Sequence, residues 1–296
     1  MLKEQIRNIV ASNPEYAAIT PVIEKEILHH DVIHVLIREG VMQPLTFIGG
    51  TSLRMCYNSS RLSEDLDFNG GHGFKPSDFD GLEVEIEKYI QNKYETKVWV
   101  SKPDENRQGN TSSWKISIEK EACRPDLPRQ KMHIDICAIP SIDTRKKPLT
   151  NHYNIVVPTE GLLVPVQSLE ETLADKFIAL AYRSRRIKPR DVWDIVWIRQ
   201  KGIDLSTSLI EKKLEARNKT KAEFTEALHT QITKLLKDNE VRTDFNAEMT
   251  RFIPESIKQR TLDNPEYWAY VQAEIQIMAT PLLKASQPRN PFDMSL

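Results

Sequence analysis

Asp65 and Asp67 stand one residue apart and alternate with Leu66 and Phe68. In a strand, residues i and i+2 share a face, so the two carboxylates project together while Leu66 and Phe68 enter a core. Side-by-side carboxylates repel each other unless a cation neutralises them, which makes the pair a candidate metal site. A third carboxylate, Asp135, falls in another predicted strand, Met132 to Ile139. There Met132, Ile134, Ile136 and Ala138 form one face and His133, Asp135 and Cys137 the other. If the two strands are neighbours, three carboxylates converge in an oxygen-rich site suited to Mg2+ or Mn2+ shared with substrate phosphates. The plainer alternative is three solvated strand aspartates, which the depletion of Asp in strands disfavours.

Ahead of the first pair lies Gly49-Gly50-Thr51-Ser52, with Gly50 placed 15 residues before Asp65. A glycine turn that opens a helix offers backbone N–H groups to an anion, and Ser52 could add a hydroxyl; alone, such a pair is often only a turn. Phosphate turn plus metal carboxylates is the equipment of phosphoryl or nucleotidyl transfer. Arg54 and Arg61 bracket the short helix, either as phosphate contacts or as solvated surface residues. Lys176 follows the apolar stripe Leu169, Leu173, Phe177, Leu180, so it must snorkel to solvent or reach an anion such as a triphosphate. Asp191, in the first turn of a helix opened by Pro189, either serves the helix dipole or orients Lys176 or an acceptor hydroxyl. Arg183, Arg185, Arg186, Lys188 and Arg190 form a basic run, a candidate RNA contact or an ordinary solvated one. The seven histidines lack metal-ligand spacing, and His133 reads as incidental or as support for Asp135. No Ser-His-Asp order favours acyl transfer.

These residues need elements to hold them. Two helices are predicted over 1–42, with Pro21 in the first turn of the second and Gly40 as its stop. A strand near 45–48, a helix near 51–57 and a strand near 64–68 carry the turn and the first carboxylates. A helix from Pro76 to about Tyr94 and strands at 96–100 and 113–119 follow, the latter two separated by a polar loop from Lys102 to Thr111. The Pro-containing stretch 140–167 reads as a connection with a short strand at Tyr153–Val157. From Ser168 everything reads helical, starting with a Ser168/Glu171 capping box, then near 189–200, 206–217, 221–237, 240–252 and 265–279. The polar tail from Gln287 is expected to be poorly ordered. The predicted domains are 1–160, a core with N-terminal helices, and 161–296, a helical lobe supplying Lys176 and Asp191.

Composition bounds the reading further. With 41 Lys+Arg against 42 Asp+Glu, the formal net charge is −1, so nucleic-acid binding would need a local basic patch. No apolar run approaches ~18 residues, so no membrane span is expected. The three cysteines, Cys56, Cys123 and Cys137, form neither a disulfide framework nor a metal knuckle, as suits a reducing cytoplasm.

The string F-I-G-G-T-S-L-R…R-L-S-E-D-L-D-F resembles the first motif of the AbiEii/AbiGii toxin family of nucleotidyltransferases. K-M-H-I-D-I is similar to the second motif, L-A-D-K-F-I-A-L to the third and K-P-R-D-V-W-D-I to the fourth, across roughly 45–200. The resemblance implies an α+β fold of the DNA polymerase β-like superfamily: a small mixed sheet flanked by helices, then an all-helical C-terminal lobe. It implies NTP as substrate, an RNA acceptor such as tRNA, and the toxin role of a phage-defence toxin–antitoxin pair whose antitoxin is encoded separately. Asp65, Asp67 and Asp135 would hold the metal, Gly49 to Ser52 with Lys176 would bind the nucleotide, and Asp191 would support Lys176 or the acceptor. Rival readings are transfer of a nucleotidyl or phosphoryl group to a protein, and a non-catalytic binder that keeps the fold.

Overall fold

The computed structural model describes residues 2–104, 109–120, 128–183 and 185–284. The tail from Gln287, Cys123 and part of the Lys102–Thr111 loop lie outside the described residues. The chain forms two compact units. The first comprises Met1–Ser168 with Arg251–Ile257, the second Leu169–Thr250 with Lys258–Leu296. The sequence reading drew the line at 160/161.

The first unit is built on a mixed seven-stranded sheet. Helices α1 (Leu2–Ser12) and α2 (Thr20–Arg38) lead to strand β1 (Thr46–Ile48), helix α3 (Gly49–Tyr57) and strand β2 (Leu66–Asn69). Helix α4 (Leu82–Tyr94) is followed by β3 (Val98–Ser101), β4 (Thr111–Ile118), β5 (Gln130–Cys137), β6 (Thr144–Pro148) and β7 (Leu163–Gln167). The strand order is β3-β4-β5-β2-β1-β7-β6. β2 runs parallel to β5 and β1 parallel to β7; the other pairs are antiparallel.

Alternation decides what each face does. Phe47, Phe68, Trp114, Ile116, Ile134, Ile136 and Val166 point into one core with Leu28, Val32 and Leu36 of α2 and Ile86 and Ile90 of α4. Phe47 and Phe68, opposite each other on β1 and β2, stack with ring centroids 5.1 Å apart, a contact worth about 1 kcal/mol beyond area burial. The intervening residues, Ile48, Asp67 and Asp135, face the other way.

The expected Tyr153–Val157 strand is absent. The stretch 140–167 instead supplies β6 and β7, which widen the sheet past β1. β6 is an edge strand whose Thr144, Arg145 and Lys146 are exposed, so it carries no apolar alternation to read. β7 contains Pro165, which cannot donate to a ladder, and its pairing with β1 is limited to Phe47↔Val166.

The second unit is helical: α5 (Leu169–Tyr182), α6 (Pro189–Gln200), α7 (Thr207–Glu215), α8 (Lys221–Lys237), α9 (Asn239–Met249) and α11 (Tyr267–Lys284), with the short α10 (Glu255–Arg260) straddling the boundary. Leu173, Phe177, Val192, Ile195, Phe224, Leu228, Phe245, Val271 and Ile275 are among its buried residues. Glu171, expected as a capping partner, is fully buried and ion-paired with the equally buried Lys213.

Candidate active site

In the first unit, strand pairing does the work that the spacing Asp65-x-Asp67 only hints at. The parallel register of β2 and β5 sets Asp67 directly beside Asp135, neighbours about 4.8 Å apart across the ladder. Both are half-buried, on the face away from the core. Asp65 lies just before β2 and reaches β5 itself. Its Oδ1 accepts the His133 backbone N–H at 2.9 Å and the His133 ring Nδ1–H at 3.0 Å. Asp65 Oδ2 accepts no bond among the described residues, and no Lys or Arg among them is ion-paired to Asp65 or Asp135.

The glycine turn is locked to these carboxylates. Gly49 adopts φ +77°, and a Cβ there would lie 2.5 Å from Asp67 Oδ2. Only glycine fits: the backbone is left-handed and the carboxylate occupies the side-chain space. Thr51 Oγ1 donates to the Asp65 carbonyl at 2.5 Å, and Ser52 Oγ donates to the Gly49 carbonyl at 2.9 Å. Both hydroxyls therefore hold the turn, and Ser52 is fully buried. The anion-binding capacity lies in the backbone N–H groups that open α3, whose N-cap residue Ile48 makes no side-chain cap.

Arg54 and Arg61 are both buried rather than solvated. Arg54 Nε lies 3.0 Å from Glu26 Oε1 on α2. Burial raises the Glu26 carboxyl, but Arg54, His152 and the Tyr153 hydroxyl outweigh it and hold the group below its ordinary value. The Arg61 guanidinium packs against Gly50 where a side chain would stand, and donates to the Leu62 carbonyl at 2.9 Å.

Helix α2 contributes a residue that sequence reasoning missed. His29 Nε2–H donates to the Glu64 carbonyl at 3.0 Å, and its Nδ1 has no partner among the described residues. Burial pulls its pKa to about 4, so the ring is neutral. His29 and Thr51 thus grip the consecutive carbonyls of Glu64 and Asp65 and fix the approach to β2. The sequence signal was the polar quartet Glu26, His29, His30 and Asp31 set among Ile23, Ile27, Leu28, Val32 and Ile33; all four are buried.

In the second unit, Lys176 does reach an anion, but one supplied by the protein. Its Nζ sits 2.8 Å from both Asp191 Oδ1 and Asp194 Oδ2 on α6. Arg183 Nη2 meets Asp191 Oδ2 at 3.0 Å. Burial raises the Asp191 carboxyl, yet Lys176 and Arg183 overcome it and hold the pKa near about 2. The basic run is largely neutralised within its own unit: Arg183 on Asp191, Arg186 and Arg190 on Glu248. Lys188 is half-buried, and Arg185 is exposed. Trp193 and Trp197 are buried in the core.

The oxygen donors Asp65, Asp67 and Asp135 suit Mg2+ or Mn2+. Asp65 Oδ2 accepts no hydrogen bond among the described residues, and the Asp67 carboxylate packs against Gly49 where a side chain would stand. Among the described residues, no group of three or more His, Cys, Asp or Glu is already gathered around a metal position. No helix among them is long and apolar enough to cross a membrane.

The profile of the family described as "Nucleotidyl transferase AbiEii toxin, Type IV TA system" matches residues 33–273. A search of curated proteins returned no match. Among solved structures, the chain is similar to MenT4, the nucleotidyltransferase toxin Rv2826c of Mycobacterium tuberculosis H37Rv. The TM-score is 0.56 at 14% identity, covering 98% of this chain and 91% of that one. JHP933 from Helicobacter pylori aligns with a TM-score of 0.47 at 16% identity over 89% of this chain and 92% of that one. At such identities, the MenT4 likeness bears on the fold alone.

Proposed function

The chain belongs to the AbiEii nucleotidyltransferase toxin family of type IV toxin–antitoxin systems, and from that premise we propose that it transfers an NMP group from an NTP to a nucleic-acid acceptor, with tRNA as the acceptor class. The observation that supports this most is the in-register pairing of Asp67 with Asp135 beside the Gly49 turn. Asp65, Asp67 and Asp135 would hold Mg2+ or Mn2+, which when bound neutralises phosphate oxygens and acidifies the attacking hydroxyl.

The chain's own groups do the rest by positioning and charge. Backbone N–H groups at Gly50, Thr51 and Ser52 bind phosphate oxygens at the start of α3. The Thr51 bond to the Asp65 carbonyl keeps that anion turn in step with the carboxylates. Asp135 takes the proton of the acceptor hydroxyl as its oxygen bonds the α-phosphorus and the bond from that phosphorus to the bridging oxygen breaks, releasing pyrophosphate. Lys176 and Asp191, matched through the family's third and fourth motifs, are proposed to be required for the activity. The biological reading is a cytoplasmic toxin of a phage-defence pair, restrained by a separately encoded antitoxin.

Incubation with each α-labelled NTP and total RNA tests the proposal. Label is expected in a tRNA-sized band, and Asp65→Asn should abolish it. Undiminished transfer by that variant would overturn the site. Transfer only from a γ-labelled NTP would identify a kinase, and label confined to protein would identify a protein acceptor.

A further inference from the structure

The basic run at 183–190 was the sequence's candidate for an RNA surface, and most of its arginines are committed to carboxylates of their own unit. The first unit carries a different basic surface, one that alternation along three strands builds. The polar faces of β3, β4 and β5 align in rows. Trp99 lies opposite Ser117, which lies opposite Lys131; Ser101 lies opposite Lys115, which lies opposite His133; Ser113 lies opposite Asp135, which lies beside Asp67. From the Lys131 row to the Asp135 row is four residues, about 13 Å along the strand.

Chemistry on this face changes along its length. At the far end, Trp99 is 38% exposed, one of few large apolar side chains in contact with solvent. The Arg129 guanidinium lies over its ring at 3.8 Å from the centroid. Lys97, Lys115, Arg129 and Lys131 are all exposed. Glu119, just past β4 and paired through its backbone with Lys97, is a carboxylate at the far end of this face. Four cations and an aromatic plate therefore lead to the row of candidate metal carboxylates, in a chain whose net charge is −1. Nothing in core packing calls for a half-exposed Trp here: the buried sides of the same strands are filled by Val98, Val100, Ile116 and Ile134.

We infer that the polar face of β3–β4–β5 is the docking platform for the single-stranded end of the nucleic-acid acceptor, with Lys97, Lys115, Arg129 and Lys131 on its phosphates and Trp99 stacked on a base. A single strand is the occupant whose chemistry matches an exposed aromatic interleaved with cations, since every base has a π-face and every link a phosphate. The inference rests on the proposed nucleic-acid acceptor and adds to it the surface that presents the acceptor to Asp135.

The test uses the full chain and a fluorescently labelled single-stranded oligoribonucleotide with a free 3′ hydroxyl. Binding is read by anisotropy over a salt series, alongside α-labelled NTP transfer to total RNA. Lys115→Glu with Lys131→Glu should weaken binding at least roughly tenfold and flatten the log–log salt slope by about 1.4. Trp99→Ala should weaken binding roughly five- to hundredfold without changing that slope. A control with the same charge change on exposed residues of the second unit, Lys212→Glu with Lys237→Glu, should bind as wild type. Equal losses in the control and face variants would mean diffuse attraction and overturn the platform. Wild-type binding and transfer by the face variants would also overturn it, while leaving the proposed transfer to RNA intact. If the wild-type chain labels protein and no RNA, the acceptor reading itself fails and the platform with it. All sites are exposed, so an unchanged thermal midpoint certifies the folded state of each variant.

Discussion

Two groups of aspartates in this molecule are handled in opposite ways. In the second unit, Asp191 and Asp194 are buried, separated by one helical turn, and clamp Lys176 between them, with Arg183 completing the neutralisation. In the first unit, Asp65, Asp67 and Asp135 stay half-exposed, and Asp65 accepts the backbone and ring N–H groups of His133. In the first arrangement, cations and carboxylates of the same unit pair with one another. The second lines carboxylates along one solvent-reached strand face, an arrangement suited to a cation supplied from outside.

Asp67→Asn should break the contrast most sharply if it is misread. Label transfer is expected to fall by roughly 10³-fold or more, with little change in the urea midpoint; a large loss of stability with retained transfer would reverse the assignment. Asp194→Ala should do the opposite kind of damage. It removes a buried partner of Lys176, so about 3–5 kcal/mol of unfolding free energy is expected to go, read by denaturant titration.

Acid should separate the units. His29 and His30 are held neutral by burial, each with a pKa lowered to about 4. The unfolded chain then binds more protons than the folded one between about pH 4 and 6.5. Stability from these histidines is full above 6.5 and is lost as pH falls toward 4, roughly 3 kcal/mol for each. Asp191 runs later: its depressed pKa gives stability that is present above 3.8 and lost as pH falls through about 2. Hydrogen-exchange protection factors, corrected for the intrinsic rate at each pH, should fall in α2 from pH 7 to 5 before they change in α5 and α6. The smallest effect is Gly49→Ala, which puts a Cβ into Asp67 at a left-handed backbone position. It should cost on the order of 1–3 kcal/mol and lower transfer; a neutral result would mean the turn does not need its closeness to the carboxylate.

How far these features could be read in advance followed their range along the chain. β2 and β5 were legible because each alternates cleanly, and the Asp65–Asp67–Asp135 set follows from that alternation once the strands are neighbours. α5 and α6 were legible from apolar spacing and Pro189. The partners of charged residues were not. Arg186 and Arg190 meet Glu248, some 60 positions away, and Arg54 meets Glu26 on a different helix. β6 and β7 were missed because an exposed edge strand and a Pro-bearing neighbour lack the period that betrays a strand. His133 stood in plain sight beside Asp135, but its bond to Asp65 depends on a register that spacing does not encode.

That same outer strand has a consequence for how the protein lives in a crowded solution. A seven-stranded sheet that does not close has two borders: at β3 the Val100 N–H donates to Glu87 Oε1 and the Val98 carbonyl accepts from Gln91 Nε2, while β6 is an edge on which another copy could add a strand. At β6 the template is spoiled: Arg145, Lys146 and Lys147 place like charges where a second β6 would have to lie, and Pro148 removes a donor at the end of the strand. The residues that hid β6 from sequence reading are thus of the kind that disfavours edge-to-edge pairing, and replacing Lys146 and Lys147 with valine is expected to raise self-association, read by light scattering.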